Sequence, residues 1–347
     1  MKKIVIEALG APEKQARCVE VPDPAAPGAG EVTVRILAAP INPADLLQIE
    51  GRYGVRPPLP YTPGHEGAGR IEAVGPDVQG LAVGDLVLPG VFGTWCERIV
   101  CKAAGVTRLP PDTDLLQAAM LRANPGSAWA MLDAIPALAA GDWVIQNAGN
   151  SAVAGFVHRL AARRGVRTIA VVRRAEAAAA AKASGATLVV VDDHEQGSDD
   201  ALQAAVAQAV GAFEAAAGEP PAPGGQPRIR GALDAVGGRA TSRLARCLHD
   251  GGVVINYGLL SGEDCAIRPH ELVFRGVRLE GFWLSSWFRG AGPQRIRTMY
   301  DELAELMRSG AISAPVAATY RFDRIAEALA HSAQGGRDGK ILLVSEG

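Results

Sequence analysis

The run from Trp143 to Arg174, WVIQNAGNSAVAGFVHRLAARRGVRTIAVVRR, limits what this chain can fold into more than any other stretch. Trp143-Val144-Ile145-Gln146-Asn147 is short, apolar and free of helical periodicity, which predicts a buried strand. A turn of small residues follows, Ala148-Gly149-Asn150-Ser151-Ala152. Val153, Phe156, Val157 and Leu160 then recur at helical spacing up to Arg163-Arg164, with Gly165 placed to cap the helix. Thr168 to Val172 is a second apolar run and ends at Arg173-Arg174. Strand, turn, helix and strand in about thirty residues is the size of one βαβ unit. Small residues at such a turn let a phosphate reach backbone N–H groups at the positive end of the helix dipole.

A dinucleotide site for NAD usually has an acid at the tip of the second strand, where it binds the ribose 2′-OH. Arg173 and Arg174 stand there instead, and guanidinium groups suit a 2′-phosphate. The pair points to NADPH; the plainer alternative is a basic strand end in a solvated loop. Ala152 and Ala154 occupy positions where two fingerprint glycines normally fall, so this turn is a weak motif by itself.

The alternation continues. Helices are expected over Ala175–Ser184, Asp199–Phe213 and Ala240–Leu248, and strands over Thr187–Val191, Ile229–Asp234, Gly252–Tyr257 and Val277–Trp283. That pattern predicts an α/β fold with a Rossmann-type doubly wound parallel sheet. Before it, residues 1–120 are rich in Gly, Pro and short apolar runs. Strands are expected at Glu31–Leu37, Arg70–Val74 and Asp85–Leu88, and a helical texture from Leu115 past Asn124-Pro125 to Leu132. A helix is expected from Pro293 to Arg308, and Lys340–Val344 reads as a strand returning to the first domain.

At 347 residues the chain has room for two domains. A net charge of −2 without a basic run argues against a nucleic-acid surface, and no apolar stretch has membrane-spanning length. Met1-Lys2-Lys3-Ile4-Val5-Ile6 leads directly into a strand-like run and lacks the pattern of a signal peptide. Five scattered cysteines fit reduced thiols, and with them a cytoplasmic location is expected.

The stretch Gly64-His65-Glu66-Gly67-Ala68-Gly69-Arg70-Ile71-Glu72-Ala73-Val74-Gly75 resembles the signature of the medium-chain dehydrogenase/reductase superfamily, and the likeness spans nearly the whole chain. It implies a GroES-like, mostly β catalytic domain in 1–122, a Rossmann NADP-binding domain in 123–286, and a return to the catalytic domain in 287–347. Many such enzymes hold a catalytic zinc with Cys, His and a third Cys or Asp. Here Asn42 falls where the first Cys would be, the four-cysteine lobe of a structural zinc is absent, and Cys96 and Cys101 alone cannot close a tetrahedral site. No metal is expected, and His65 is read as a structural turn residue.

Without a Lewis acid for alcohol oxidation, reduction of an activated C=C is the natural chemistry. Hydride adds to the β carbon, and a donor must meet the enolate oxygen and supply a proton. Among five tyrosines, Tyr53 sits in a Gly-flanked loop, where a tyrosine taken alone is more often a packing or surface residue. Four further motifs are similar to the mitochondrial-type trans-2-enoyl thioester reductases. They are Leu37 to Asp45, Gly51-Arg52-Tyr53-Gly54, Val144 to Ala148, and Gly281-Phe282-Trp283-Leu284-Ser285. That resemblance implies Tyr53 as the catalytic proton donor and Trp283 as a wall of the nicotinamide and acyl pocket. It also implies NADPH contacts at Asn124, Asn150, Ser151, Ala152, Val153, Arg173, Arg174, Tyr257, Gly258, Leu259, Leu260, Phe282, Trp283, Leu284 and Lys340. The family's Arg-Xaa-Arg becomes Arg173-Arg174-Ala175 here.

The aromatic cluster Phe282, Trp283, Trp287 and Phe288 supports two readings together: the pocket wall, and an apolar edge buried in a homodimer through the 277–288 edge strand. His158 and His249 lie in helical patterns and read as exposed or core histidines. Asp192-Asp193 with Asp199-Asp200 reads as a solvated loop, and Gly218–Pro227 as a surface excursion. The expected activity is NADPH-dependent reduction of 2-enoyl thioesters, with an acyl thioester as the small-molecule partner. The alternatives are a quinone or general enone reductase of the same superfamily and a non-catalytic NADPH-binding protein.

Overall fold

The computed structural model describes residues 1–192, 198, 200–220, 227–334 and 339–345. The expectations for Asp193, Asp199 and the central part of the Gly218–Pro227 loop lie outside the described residues. The chain forms two compact units, 1–123 with 297–347, and 124–296.

The second unit is built on six parallel strands in the order Leu188–Val191, Arg167–Val172, Trp143–Gln146, Ile229–Asp234, Val253–Asn256, Arg278–Gly281. This is the doubly wound Rossmann order, with its reversal between Trp143–Gln146 and Ile229–Asp234. Those central strands are covered on both faces, which explains their unbroken apolar runs: Trp143, Ile145, Ile169, Ile229 and Val254 share one core with Leu202, Val206, Val210 and Leu244. Each such side chain contributes about 1.5–3 kcal/mol by leaving water. Helix Ala152–Arg163 buries Phe156, Val157, His158 and Leu160, and Gly165 takes a φ of +69° just beyond it, the left-handed conformation that ends the helix.

The helical texture expected from Leu115 past Asn124-Pro125 to Leu132 is carried by two helices, Leu115–Ala119 and Asn124–Ala134. Pro125 explains the break, since proline fits a first helical turn but not an interior. The expected strand Val277–Trp283 is shorter, Arg278–Gly281, and Trp283 is already the N-cap of a helix, Leu284–Gly290. The second unit reaches residue 296, beyond the expected boundary at 286, because this segment packs back on its own unit. Trp287 meets Trp129 edge to face, and Arg295 pairs with Asp133.

In the first unit a seven-stranded sheet runs Val316–Arg321, Lys340–Val344, Glu31–Pro40, Ala68–Val74, Leu86–Leu88, Thr107–Arg108, with Arg98–Lys102 also pairing Glu31–Pro40. Lys340–Val344 is antiparallel to Glu31–Pro40 and parallel to Val316–Arg321. Lys2–Ile6 pairs Ala16–Glu20 separately. Ile4, Ile6, Val34, Ile36, Ile71, Trp95, Phe322 and Ile341 fill its core.

The expectation of a solvated acidic loop fails at Asp192, whose side chain is 8% exposed, while that of Asp200 is 78% exposed. Asp192 pairs with the buried Arg243, and Asp200 with Arg246, both on helix Arg239–Cys247. A guanidinium buried in the core requires such a counter-charge.

Candidate active site

The carboxyl ends of the parallel strands carry most of the residues singled out for the cofactor. After Trp143–Gln146, Ala148 turns at φ +46° and Gly149 presses on Arg167–Val172 so closely that a Cβ would lie 2.7 Å from that of Ala170. Asn150 is exposed at the tip. Ser151 caps the helix, its hydroxyl oxygen accepting from Ala154 N–H at 3.2 Å, and Ala152 and Val153 form the first turn. Arg173 and Arg174 follow the next strand, both exposed, and neither makes an ion pair with another described residue.

At the reversal point, Asn147, Asp234, Thr241 and Asn256 form a network that sequence reasoning missed. The fully buried Asp234 carboxylate accepts from Asn147 Nδ2 at 2.6 Å, from the N–H groups of Val236 and Gly237, from Thr241 Oγ1 at 2.6 Å and from Asn256 Nδ2. These five donors satisfy a charge that would otherwise be costly to bury. The backbone carbonyl of Asp234 takes the Tyr257 N–H, and Gly258 lies against Ala235 O, where a Cβ would come within 2.4 Å. Gly258 is thus explained by backbone approach, while Leu259 and Leu260 are exposed. Burial pushes the Tyr257 hydroxyl well above its ordinary pKa, with Ser151 beside it. The available signal was a strand-end acid followed by small residues, Leu233-Asp234-Ala235-Val236-Gly237-Gly238.

Phe282 N–H donates to Asn256 O at 2.7 Å, setting Trp283 and Leu284 beyond the last strand. The Arg289 guanidinium lies 4.9 Å from the Trp283 ring centre. Asn124 is the buried first residue of Asn124–Ala134.

Tyr53 and Lys340 belong to the first unit, in and beside a buried polar cluster. Asp45 is fully buried and accepts from Asn42 N–H at 2.8 Å, from His65 N–H at 3.0 Å and from His65 Nδ1 at 2.6 Å. The His65 ring in turn stands edge-on to Tyr53, 5.0 Å between centres and 74° between planes, and to Phe92 on another side at 5.1 Å. Asn42 donates its amide to Glu66 Oε1 at 2.8 Å and accepts from Lys340 Nζ. Glu66 also accepts from Ala123 N–H at 2.7 Å; burial raises its pKa, and the two hydrogen bonds with the Lys340 charge oppose that rise. Lys340 therefore spends a hydrogen bond on Asn42.

Residues 28–111 match the alcohol dehydrogenase GroES-like domain family, and 225–343 the zinc-binding dehydrogenase family. The chain is 35% identical over 296 residues to the mitochondrial enoyl-[acyl-carrier-protein] reductase of Bos taurus, covering 84% of this chain and 74% of that one. It is 33% identical over 336 residues to the enzyme of that name from Caenorhabditis elegans, covering 94% and 90%. Among solved structures it is similar to a protein described as an NADPH:quinone reductase from Bacillus thuringiensis, at TM-score 0.86 and 28% identity over 99% of each chain. The mitochondrial 2-enoyl thioester reductase heterodimer of Candida tropicalis shares the fold, at TM-score 0.82 and 24% identity over 99% of each chain. Parallel sheet, strand-end turn and GroES-like unit define a two-domain dehydrogenase/reductase architecture. The chain belongs to the medium-chain dehydrogenase/reductase superfamily, close to its mitochondrial enoyl-[acyl-carrier-protein] reductases.

Two expectations meet these findings differently. The cytoplasmic location is overturned, since the relatives carry mitochondrial names. Five free cysteines do not name a compartment. The zinc-binding family name does not fit the donor set. Among the described residues no group of three or more His, Cys, Asp or Glu is placed to hold a metal ion. Both ends of the Asn42 amide are taken, and burial pushes the Cys96 thiol up to about 12 and that of Cys101 to about 11.

Proposed function

We propose that this protein reduces the C=C of trans-2-enoyl thioesters with NADPH, without a metal. The observation that carries the reading is Tyr53 held edge-on by a His65 ring that Asp45 fixes, in a chain 35% identical to an enoyl-[acyl-carrier-protein] reductase. The cofactor residues fit NADPH: a capped helix N-terminus for the pyrophosphate, and two exposed guanidinium groups for the 2′-phosphate. When bound, NADPH supplies the hydride that adds to the β carbon. Tyr53 donates its hydroxyl hydrogen to the enolate oxygen as charge builds there, then delivers the proton to the α carbon. Trp283 walls the nicotinamide and acyl pocket. Asn124, the turn 150–153, Arg173, Arg174, residues 257–260, Phe282, Leu284 and Lys340 are the assigned cofactor contacts.

The same reading includes a homodimer. Strand Arg278–Gly281 is the sheet's edge and all four residues are exposed, with Val273 70% and Phe274 79% exposed nearby. An unpaired strand edge beside exposed apolar side chains is a pairing surface. Sedimentation should give twice the chain mass, and a monomer refutes this part. The likeness to the quinone reductase structure favours a second reading, reduction of quinones on the same cofactor site. NADPH oxidation with crotonyl-CoA, a longer 2-enoyl-CoA and a soluble quinone in parallel tests the two. Thioester turnover is expected, and turnover of the quinone alone would replace the first reading by the second.

A further inference from the structure

A buried hydrogen-bond chain lies beneath the turn 148–152, and the chemistry above does not use it. His158, 1% exposed, is on the inner face of Ala152–Arg163. Its Nε2 is 3.2 Å from the Gly149 carbonyl oxygen and its Nδ1 is 2.9 Å from the Thr168 hydroxyl. A carbonyl oxygen only accepts, so in the neutral ring the proton sits on Nε2 and Nδ1 accepts. Thr168 then donates its O–H to Nδ1, and its oxygen accepts from Thr187 N–H at 3.4 Å. Thr168 N–H donates back to the Thr187 hydroxyl at 3.1 Å. Gln146 Nε2 also approaches both ring nitrogens at 3.2 Å; as a donor it can address only Nδ1, and it donates to Ala154 O at 3.3 Å as well. Burial holds the ring neutral, with its pKa down to about 4.

The anchored carbonyl belongs to the peptide that matters most in this turn. In a trans peptide the Gly149 C=O and the Asn150 N–H point in opposite directions. A carbonyl tied inward to His158 aims the Asn150 N–H outward, to the open side of the turn. On its other flank Gly149 is held by its own N–H, which donates to Val171 O at 3.0 Å. The preceding Ala148 has a φ of +46°, which is strained for a residue with a Cβ and needs such restraint.

We infer that His158, backed by Thr168 and Thr187, is a positioning residue that aims the Asn150 N–H at the cofactor's pyrophosphate. The inference rests on the proposal that NADPH occupies this turn. It also offers a reason why the turn can work with Ala152 and Ala154 in place of glycines: the donor is aimed by an internal hydrogen bond.

Two readouts test it in the full chain: the His158 tautomer by ¹⁵N NMR of histidine-labelled protein, and NADPH affinity by fluorescence titration. The wild type should show the Nε2–H tautomer. Thr168→Ser should keep both tautomer and affinity. Thr168→Val should keep the Nε2–H tautomer, which the Gly149 carbonyl dictates, but loosen the ring; it and His158→Leu should weaken NADPH binding, His158→Leu by about tenfold, the value of one hydrogen bond, with the KM for the thioester unchanged. An Nδ1–H tautomer in the wild type, or His158→Leu folded and binding NADPH like the wild type, overturns the inference. Should His158→Leu not fold, Thr168→Val decides by NADPH affinity. A wild type that fails to bind NADPH sinks the cofactor assignment and this inference with it, whereas equal binding by wild type and variants sinks the inference alone.

Discussion

The strand-end face of the second unit and the polar cluster of the first are built in opposite ways. The face is assembled from residues that each follow a strand: the turn after Trp143–Gln146, the two arginines after Arg167–Val172, and Tyr257 after Val253–Asn256. Parallel topology alone brings them together, and much of the binding capacity is backbone. The cluster instead joins groups from distant points, the Asn42 side chain to Lys340 and the Glu66 carboxyl to the Ala123 N–H, around charges that are buried and must be satisfied. The first kind of site tolerates substitution one contact at a time; the second should fail as a unit.

That contrast can be broken most sharply at Tyr53. Tyr53→Phe should lower kcat by about 10²- to 10⁴-fold, the range for losing a general acid, while NADPH affinity stays at the wild-type value. Equal turnover would return Tyr53 to the status of a packing residue. Next in size is Lys340→Met, which leaves Glu66 and the Asn42 amide without their cation. It should cost about 3–5 kcal/mol in chemical unfolding, and the further change Glu66→Gln should recover part of that loss. Additive losses would show that the cluster does not act as a unit.

The pH dependence of stability probes the second unit. Folded His158 has its pKa pushed down to about 4 from the ordinary 6.5, so the unfolded chain takes the proton first. Its contribution is fully present above pH 6.5 and is lost as pH falls toward 4, by up to about 3 kcal/mol. His158→Gln should flatten that part of the profile, and an unchanged slope would contradict the burial argument. The smallest effect is expected where the face is most exposed. Arg173→Ala and Arg174→Ala should each lower NADPH affinity by roughly tenfold and leave NADH affinity unchanged, because a charged hydrogen bond contributes about 1.5–3 kcal/mol before exposure weakens it. An equal loss for both cofactors would remove the 2′-phosphate assignment.

The same contrast decides what could be read from the sequence. The Rossmann strands are legible because a strand buried on both faces must be apolar throughout, and Gly165 marks its helix end by conformation. Lys340–Val344 is legible for the same reason, Ile341, Leu342 and Leu343 being an apolar, fully buried run. Arg173-Arg174 needs only its position after a strand. By contrast, nothing local distinguishes Asp192, held by an arginine 51 positions away, from an acid in water. Nor does periodicity reveal that Asp45 meets His65, or that His65 supports Tyr53, since these contacts close through loops. Trp283 was legible as an aromatic near a strand end, but not as a helix cap.

The central claim is that hydride goes to the β carbon of an enoyl thioester and the proton to its α carbon. The most direct measurement is the position of label in the product formed from crotonyl-CoA, read by NMR. C4-deuterated NADPH in ordinary water should place deuterium on the β carbon, and unlabelled NADPH in heavy water should place it on the α carbon. Cofactor deuterium at the α carbon, or no saturated thioester while a quinone is reduced, would contradict the account.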